Sequence, residues 1–195
     1  MENEVKEPVP QYNFISAQDY LGEERLAPDK HEYYKGEVFA MSGASLNHNI
    51  VSRNVMVFVG SNLKGKACQP FGSNLRIHIP PNTLFTYPDL SIFCSKPILT
   101  DNSFDTATNP TVIIEVLSAS TRNYDMGKKF MLYKDIDSLN EYILIDAENV
   151  YVQKHVRQPD NSWLLTEIKT IEEPLYITSL QFYIPLVDIY EGIFF

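Results

Sequence analysis

The sequence predicts an α/β protein with an α+β core, in which a mixed central sheet is flanked by helices. Its periodic segments follow the order helix, several short strands, helix, strand and hairpin, which is typical of this layered architecture. With 195 residues, 44% of them hydrophobic, the chain is long enough to bury roughly 70% of its unfolded surface in one core. No internal repeat or linker interrupts it. We therefore expect a single domain over 1–195, with residues 1–12 as a flexible tail.

The N-terminal third predicts two helices separated by a hairpin. Ser16 has the position of a capping residue for a short helix that runs to about Glu24. Residues 32–41 are typical of two short strands, with a turn at Lys35 and the glycine after it. A longer helix is predicted over 45–63, because its apolar residues recur on one side and a glycine follows as a stop signal.

The rest of the chain is predicted to supply the sheet. Strand-like segments bounded by turn residues lie at 67–70, 74–79, 86–94 and 111–117. A helix from 125 to at least 133 follows, and then a buried strand at 141–146. Residues 150–157 and 162–170 predict an additional C-terminal β-hairpin, and the aromatic end of the chain predicts a strand and a short turn of helix.

Composition and charge restrict the classes of function. The net charge of −9 argues against a generic grip on phosphates, so nucleic-acid binding would depend on a local basic patch, metal ions or an assembly. No run approaches the length of a membrane span, and the start M-E-N-E-V-K-E-P lacks signal-peptide features, so we expect a cytoplasmic protein without membrane contact. Cys68 and Cys94 have no C-x-x-C partner, which indicates neither zinc nor a disulfide framework. We expect both to be small hydrophobic residues in strands.

Two acidic residues stand out because they belong to hydrophobic strands. Asp89 lies in Y-P-D-L-S-I-F-C, and Glu115 lies in V-I-I-E-V-L-S. Burying an unpaired carboxylate costs several kcal/mol or forces it to take up a proton. Neighbouring strands lie about 4.8 Å apart, so two such acids can share one metal ion. A pair of carboxylates without histidines suits Mg²⁺, or Mn²⁺ in its place.

The helix that follows has the pattern D-x-x-x-K. Asp125, Lys129 and Tyr133 are spaced four residues apart, so all three share one face of the helix. If this face packs beside the Glu115 strand, the ammonium of Lys129 can orient a water or stabilise charge that develops on a phosphoryl group. Lys128 is expected to face elsewhere, because adjacent helical positions diverge by about 100°.

Several ordered motifs together resemble a known family. The strings H-E-Y-Y-K-G-E-V-F-A-M-S-G-A-S, Y-P-D-L-S-I-F-C, N-P-T-V-I-I-E-V-L-S, Y-D-M-G-K-K-F-M-L-Y and E-Y-I-L-I-D look like the bacterial Uma-two family. The likeness runs from about Ser16 to the end of the chain. This family is a restriction endonuclease-like domain of the PD-(D/E)XK nuclease superfamily. The resemblance therefore implies a restriction endonuclease-like mixed sheet and a Mg²⁺ site.

The resemblance also implies roles for individual residues. Asp89 and Glu115 would be the metal carboxylates. The superfamily pattern has a lysine two residues after the second carboxylate, whereas this chain has Leu117. The resemblance implies that the lysine comes from the next helix, as Lys129, with Asp125 before it. Accessory positions are implied at two further residues, Glu32 of the first hairpin and His48 of the long helix.

Each candidate also has a purely structural interpretation. Asp89 follows a proline and is placed like a turn residue, and Asp125 is placed like an N-cap. Lys129 can be a solvated lysine paired with Asp125, which is worth only about 0.3 to 0.5 kcal/mol. His48 is placed like a surface or capping residue at a helix start. Glu32 is the weakest of the candidate ligands.

The hypothesis that combines these features is a Mg²⁺-dependent endonuclease acting on nucleic acid, most simply DNA, as a homodimer. Asp89 and Glu115 would hold the metal, Lys129 would act on the water or the developing charge, and Asp125 would position Lys129. The aromatic C-terminal strands would supply a dimer interface. A non-catalytic interaction domain that keeps the fold is the alternative, favoured by the acidic balance and by Leu117. A hydrolase of small phosphoesters would use the same metal site without a basic groove.

Overall fold

A computed structural model describes residues 14–41 and 43–194 of the chain. The predicted tail at 1–12 lies outside the described residues. The helices are α1 (Ala17–Glu24), α2 (Leu46–Leu63), α3 (Arg122–Tyr124), α4 (Phe130–Tyr133) and α5 (Leu186–Ile189), and a π-helical turn, Asp125–Lys129, joins α3 to α4. The strands are β1 (His31–Tyr34), β2 (Glu37–Ala40), β3 (Gln69–Gly72), β4 (Arg76–Ile79), β5 (Leu84–Thr86), β6 (Leu90–Phe93), β7 (Thr106–Ala107), β8 (Val112–Leu117), β9 (Glu141–Asp146), β10 (Val152–Arg157), β11 (Trp163–Ile168), β12 (Leu175–Ile177) and β13 (Phe182–Ile184).

A six-stranded mixed sheet forms the centre of the molecule. Its strand order is β11-β10-β9-β8-β6-β3, and we call it the large sheet. β8 runs parallel to β9. Every other pair of neighbouring strands in the large sheet is antiparallel. β8 and β9 are buried along their whole length, which explains why their sequences are nearly continuous apolar runs. The predicted mixed sheet flanked by helices is confirmed.

The two faces of the large sheet contact different layers. Residues of α2 spaced by four cover one face, where they pack on alternate residues of β8. These α2 residues are Val51, Val55, Val59 and Leu63. The other face packs against α4 and against a five-stranded small sheet of order β2-β1-β5-β4-β7. Ile113 and Leu117 of β8 point to this second face, and Glu115 lies between them in the same alternation.

The N-terminal elements form as the sequence predicts. Ser16 caps α1 by accepting a hydrogen bond from the Asp19 amide, and Ser45 caps α2 in the same way. The hairpin of β1 and β2 turns at Lys35 and Gly36, which both have positive φ, at 50° and 91°. Such a turn suits the right-handed twist of the two strands. Among the described residues, no helix combines the length and apolar character needed to cross a bilayer.

The predicted strand over 86–94 is wrong in one respect, because it is two strands in different sheets. β5 ends at Thr86 in the small sheet, and β6 begins at Leu90 in the large sheet. Pro88 lies at the break, and because proline has no amide hydrogen it cannot donate a hydrogen bond to a neighbouring strand. The chain thus passes from one sheet to the other just before Asp89.

The helix predicted from residue 125 also differs from the structure. The helical segment starts at Arg122, and its middle is the π-helical turn that contains both Asp125 and Lys129. We refer to 122–133 as the π-containing helix. The short strands β7 and β12 were not predicted, because two or three residues carry too little alternation to be recognised.

The prediction for the cysteines is wrong. Cys68 and Cys94 form a disulfide, with their Cα atoms 3.9 Å apart. β3 pairs antiparallel with β6, with Gln69 opposite Phe93, so the two cysteines fall opposite one another just beyond the paired ends. Sequence spacing alone does not reveal this proximity, because it arises from the pairing of two strands that are separate along the chain.

We expect glycine-to-alanine substitutions to have opposite effects at two positions. At Gly36 a Cβ atom would overlap the ring of Phe14, and φ lies in the left-handed region, so Gly36→Ala should destabilise the protein by about 1 kcal/mol or more. At Gly22 in α1 a Cβ meets no atom within 4 Å, so Gly22→Ala should stabilise by about 0.5 to 1 kcal/mol. Urea denaturation of both variants gives the sign of each effect, and a neutral Gly36→Ala would contradict the turn geometry.

Reduction of the disulfide should lower the free energy of unfolding by about 2 to 4 kcal/mol, because it frees a loop of 26 residues in the unfolded chain. Denaturation with and without reductant measures this difference. A Cys68→Ala/Cys94→Ala double variant is the control and should not respond to reductant. Two free thiols in the oxidised, unfolded wild type would contradict the bond.

Candidate active site

Asp89 and Glu115 face each other across two paired strands. β6 and β8 place Leu90 opposite Ile114, so the next pair toward the start of β6 is Asp89 and Glu115. The Asp89 amide donates to Oε2 of Glu115 at 3.2 Å, and the Val116 amide donates to Oδ2 of Asp89 at 2.8 Å. The two carboxylates therefore converge at one end of the large sheet.

Lys129 reaches this acid pair from the π-containing helix. Its Nζ lies 2.9 Å from Oε1 of Glu115, 3.1 Å from Oε1 of Glu32 and 3.5 Å from Oδ1 of Asp125. Only 5% of Lys129 is exposed, so these carboxylates replace most of the water around the ammonium. Asp125 and Lys129 do share one side of the helix, as their spacing predicts.

Glu32 is more central than the sequence indicates. It lies on β1, which pairs with β5 in the small sheet, and the Thr86 hydroxyl donates to its Oε1. The Tyr124 hydroxyl donates to the other oxygen, Oε2, at 3.3 Å. Glu32 therefore connects the small sheet to the π-containing helix through Lys129. Thr86 and Tyr124 were not singled out in the sequence, because neither residue type is distinctive there.

His48 extends the site on the opposite side. Its amide donates to the Ser45 hydroxyl at the start of α2, as a helix-start residue does, but its side chain points to the acids. Nε2 lies 3.2 Å from Oδ2 of Asp89. Burial alone would lower the pKa of His48, but the hydrogen bond and charge of Asp89 outweigh it, so the pKa lies above its ordinary value.

The hydroxyl of Tyr133 completes the contacts of Glu115. Tyr133 is fully buried in the core and donates to Oε1 of Glu115 at 2.8 Å. Oε1 thus accepts from both Tyr133 and Lys129, and Oε2 is the oxygen on the side of Asp89. Tyr133 is therefore a core tyrosine whose hydroxyl has a hydrogen-bond partner.

Negative charge exceeds positive charge at these residues. Three carboxylates, those of Glu32, Glu115 and Asp125, lie within 3.5 Å of the Lys129 ammonium, and a fourth, that of Asp89, lies beside Glu115. Burial raises the pKa of Glu115 to about 8, even though Lys129 acts to lower it. The carboxylates hold the pKa of Lys129 well above its ordinary value, although burial alone would lower it. A buried cluster with this excess of negative charge either takes up a proton or binds a cation.

The six candidate residues line one cleft of about 740 Å³. They are Glu32, His48, Asp89, Glu115, Asp125 and Lys129. Lys128 lines the cleft too, but its ammonium forms no ion pair with the site acids among the described residues. Lys129 points to the buried floor, while Lys128 is exposed at the rim, with its Nζ 4.9 Å from the ring centroid of Tyr34.

The donor atoms fit a hard divalent cation. Within the described parts of the chain, no group of three or more His, Cys, Asp or Glu side chains is arranged to hold a metal ion. The acid pair instead supplies two carboxylates, which matches a Mg²⁺ site that keeps waters and takes phosphate oxygens from a substrate. Oδ2 of Asp89 contacts Val116 and His48, whereas Oδ1 accepts no hydrogen bond from the described residues. These oxygen donors, without a thiolate, suit Mg²⁺ or Mn²⁺ better than Zn²⁺.

The fold belongs to a known class of proteins. A solved structure from Anabaena variabilis, described as "a putative nuclease belonging to DUF820", superposes with a TM-score of 0.73. The superposition covers 90% of this chain and 97% of that one, at 16% sequence identity. At this identity the likeness shows the fold alone, which is a restriction endonuclease-like nuclease fold.

The chain belongs to the Uma2 (Uma-two) family, described as "Putative restriction endonuclease", whose profile matches residues 17–185. Two Synechocystis relatives are uncharacterised proteins. One, sll1609, is 36% identical over 154 residues, which cover 79% of this chain and 87% of that protein. The other, slr1290, is 32% identical over 181 residues, which cover 93% and 94%. The resemblance in the sequence motifs is therefore confirmed.

Loss of the Lys129 ammonium should destabilise the protein strongly. Lys129→Met leaves buried carboxylates without their cation, and removing one partner of a buried ion pair costs about 3 to 5 kcal/mol. Lys128→Met is the matched control, because Lys128 is exposed and should change the free energy of unfolding by about 0.5 kcal/mol or less. Urea denaturation of the two variants measures both values, and equal stabilities would contradict the assigned contacts.

Proposed function

We propose that the protein is a Mg²⁺-dependent nuclease that hydrolyses phosphodiester bonds of nucleic acid. The observation that carries the proposal is the convergence of Asp89, Glu115 and Lys129 at the floor of one cleft, within a nuclease fold. The class of substrate follows from the family and from the nuclease described for the similar structure. We also propose that it works in the cytoplasm and as a homodimer, which would bring two sites to one substrate.

Asp89 and Glu115 would hold the metal through oxygens that their neighbours orient. Val116 and His48 fix Asp89 through Oδ2, which leaves Oδ1 for a ligand. Tyr133 and Lys129 fix Glu115 through Oε1. When bound, Mg²⁺ supplies positive charge against phosphate oxygens and makes water a better nucleophile near neutral pH.

Lys129 would act directly on the reacting groups. Its ammonium is held by Glu32 and Asp125 beside Glu115, so it can hydrogen-bond a water at the cleft floor or a non-bridging oxygen of the phosphate. Both contacts are worth more in a buried site than in water. Glu32 and Asp125 are positioning residues in this scheme, because they act through Lys129.

The test is cleavage of a supercoiled plasmid and of a labelled oligonucleotide with Mg²⁺ or Mn²⁺. We expect metal-dependent cleavage by the wild type and a loss of about 10²-fold or more in Glu115→Gln and Lys129→Ala, because each removes a group that acts on the transition state. Glu173→Gln is the control, since Glu173 is an exposed acid outside the cleft, and it should retain full activity.

Three outcomes would overturn parts of this proposal. Metal-dependent cleavage that survives both site substitutions would place the chemistry elsewhere. If no nucleic acid is cleaved with either metal, the interaction-domain alternative replaces the nuclease. Hydrolysis of a small phosphodiester such as bis(4-nitrophenyl) phosphate, without any cleavage of nucleic acid, would identify a phosphoesterase instead.

A further inference from the structure

We propose that one wall of the cleft, formed by Phe39, Tyr34 and Lys128, binds unpaired nucleotides, so the substrate is single-stranded nucleic acid. This inference rests on the proposed function and specifies its substrate. Phe39 would stack on a base, and Lys128, whose ammonium lies over the Tyr34 ring, would contact the phosphate beside it. We call these three residues the stacking wall.

Phe39 presents an apolar ring to the cleft without a structural reason to do so. β1 and β2 pair Glu32 with Phe39, so both side chains project from the same face of the hairpin toward the cleft. Phe39 is 46% exposed, and no other aromatic ring of the described residues packs against it. An exposed ring beside four carboxylates is poorly placed for a protein core, but well placed to stack on a base.

Tyr34 and Lys128 continue the same surface. Tyr34 is two residues after Glu32 on β1, which puts it on the cleft face, and the Lys128 ammonium lies over its ring. Lys128 is exposed and forms no ion pair with any carboxylate in the described part of the chain. It is therefore a cation available for a phosphate oxygen.

The charges around the cleft define the path of the strand. Lys128 lies next to Lys129 along the chain, so a phosphate bound at the rim is close to the floor where hydrolysis is proposed. Asp29 is an exposed acid that also lines the cleft and would repel phosphates near it. Lys30 is less available than Lys128, because its Nζ donates to the Ser73 carbonyl oxygen at 2.7 Å. The backbone of a bound strand would thus follow the stacking wall.

An unpaired strand suits this arrangement better than a duplex. A duplex keeps its bases stacked and paired inside, so it has none to give to Phe39 unless one is flipped out. Duplex binding without base contacts would have to depend on phosphate contacts, and a chain of net charge −9 supplies few of them. Stacking accepts any base, so DNA and RNA single strands should both bind.

The experiment measures binding without turnover. Fluorescence anisotropy compares a labelled 12-nucleotide single strand with the same strand in a duplex, with Ca²⁺ in place of Mg²⁺ and a gel to verify that the probe stays intact. We expect the wild type to bind the single strand at least tenfold more tightly. Phe39→Ala should weaken this binding by roughly 5- to 150-fold, the loss of one stacked base, and should not change duplex binding. Phe39→Trp should retain it.

Phe104→Ala is the matched control, because Phe104 is 76% exposed and lies outside the cleft. It should bind like the wild type. Equal affinity for single strand and duplex, no binding of either, or a Phe39→Ala variant that binds like the control would each overturn the inference. The two proposals fail separately. If single strands bind in a Phe39-dependent way but are not cleaved, the stacking wall is supported and the nuclease proposal fails. If cleavage depends on Glu115 but binding does not depend on Phe39, the nuclease proposal is supported and the stacking wall fails.

Discussion

The ammonium of Lys129 is the contact on which the rest of the site depends. It joins Glu32 of the small sheet, Glu115 of the large sheet and Asp125 of its own helix within 3.5 Å. Each of these carboxylates is buried and would be costly alone, so the lysine is the reason that three elements can bring acids to one point. Because burying this group carries a desolvation cost, its value lies in geometry more than in net stability.

The position of the lysine has a packing explanation. Leu117 points to the same face of β8 as Glu115, but it is 1% exposed and belongs to the core formed with Tyr133 and Leu132. An ammonium there would lie among apolar side chains. Lys129 instead reaches this face of β8 from the π-helical turn, which also contains Asp125. In the proposed scheme, the lysine that the superfamily pattern places on a strand therefore comes from this helix.

Much of the fold follows from the sequence, because the patterns are local. Caps at Ser16 and Ser45, the hairpin turn at Lys35 and the apolar run of β8 each depend on neighbours in the chain. The acids were recognised for the same reason, since Glu115 is a charged residue within an otherwise apolar strand. What the sequence does not contain is the contact between distant elements. The disulfide of Cys68 and the reach of Glu32 to Lys129 depend on which strands pair and how the helix turns.

The passage of the chain from the small to the large sheet at Pro88 has a consequence for folding. Asp89 and Glu115 belong to the large sheet, whereas Glu32 and Thr86 belong to the small one. A folding intermediate that has formed only the large sheet would contain the acid pair but would lack Glu32, which holds Lys129 from the other side. The full set of charges is assembled only when both sheets have docked. Docking of the small sheet onto the large one therefore also completes the site.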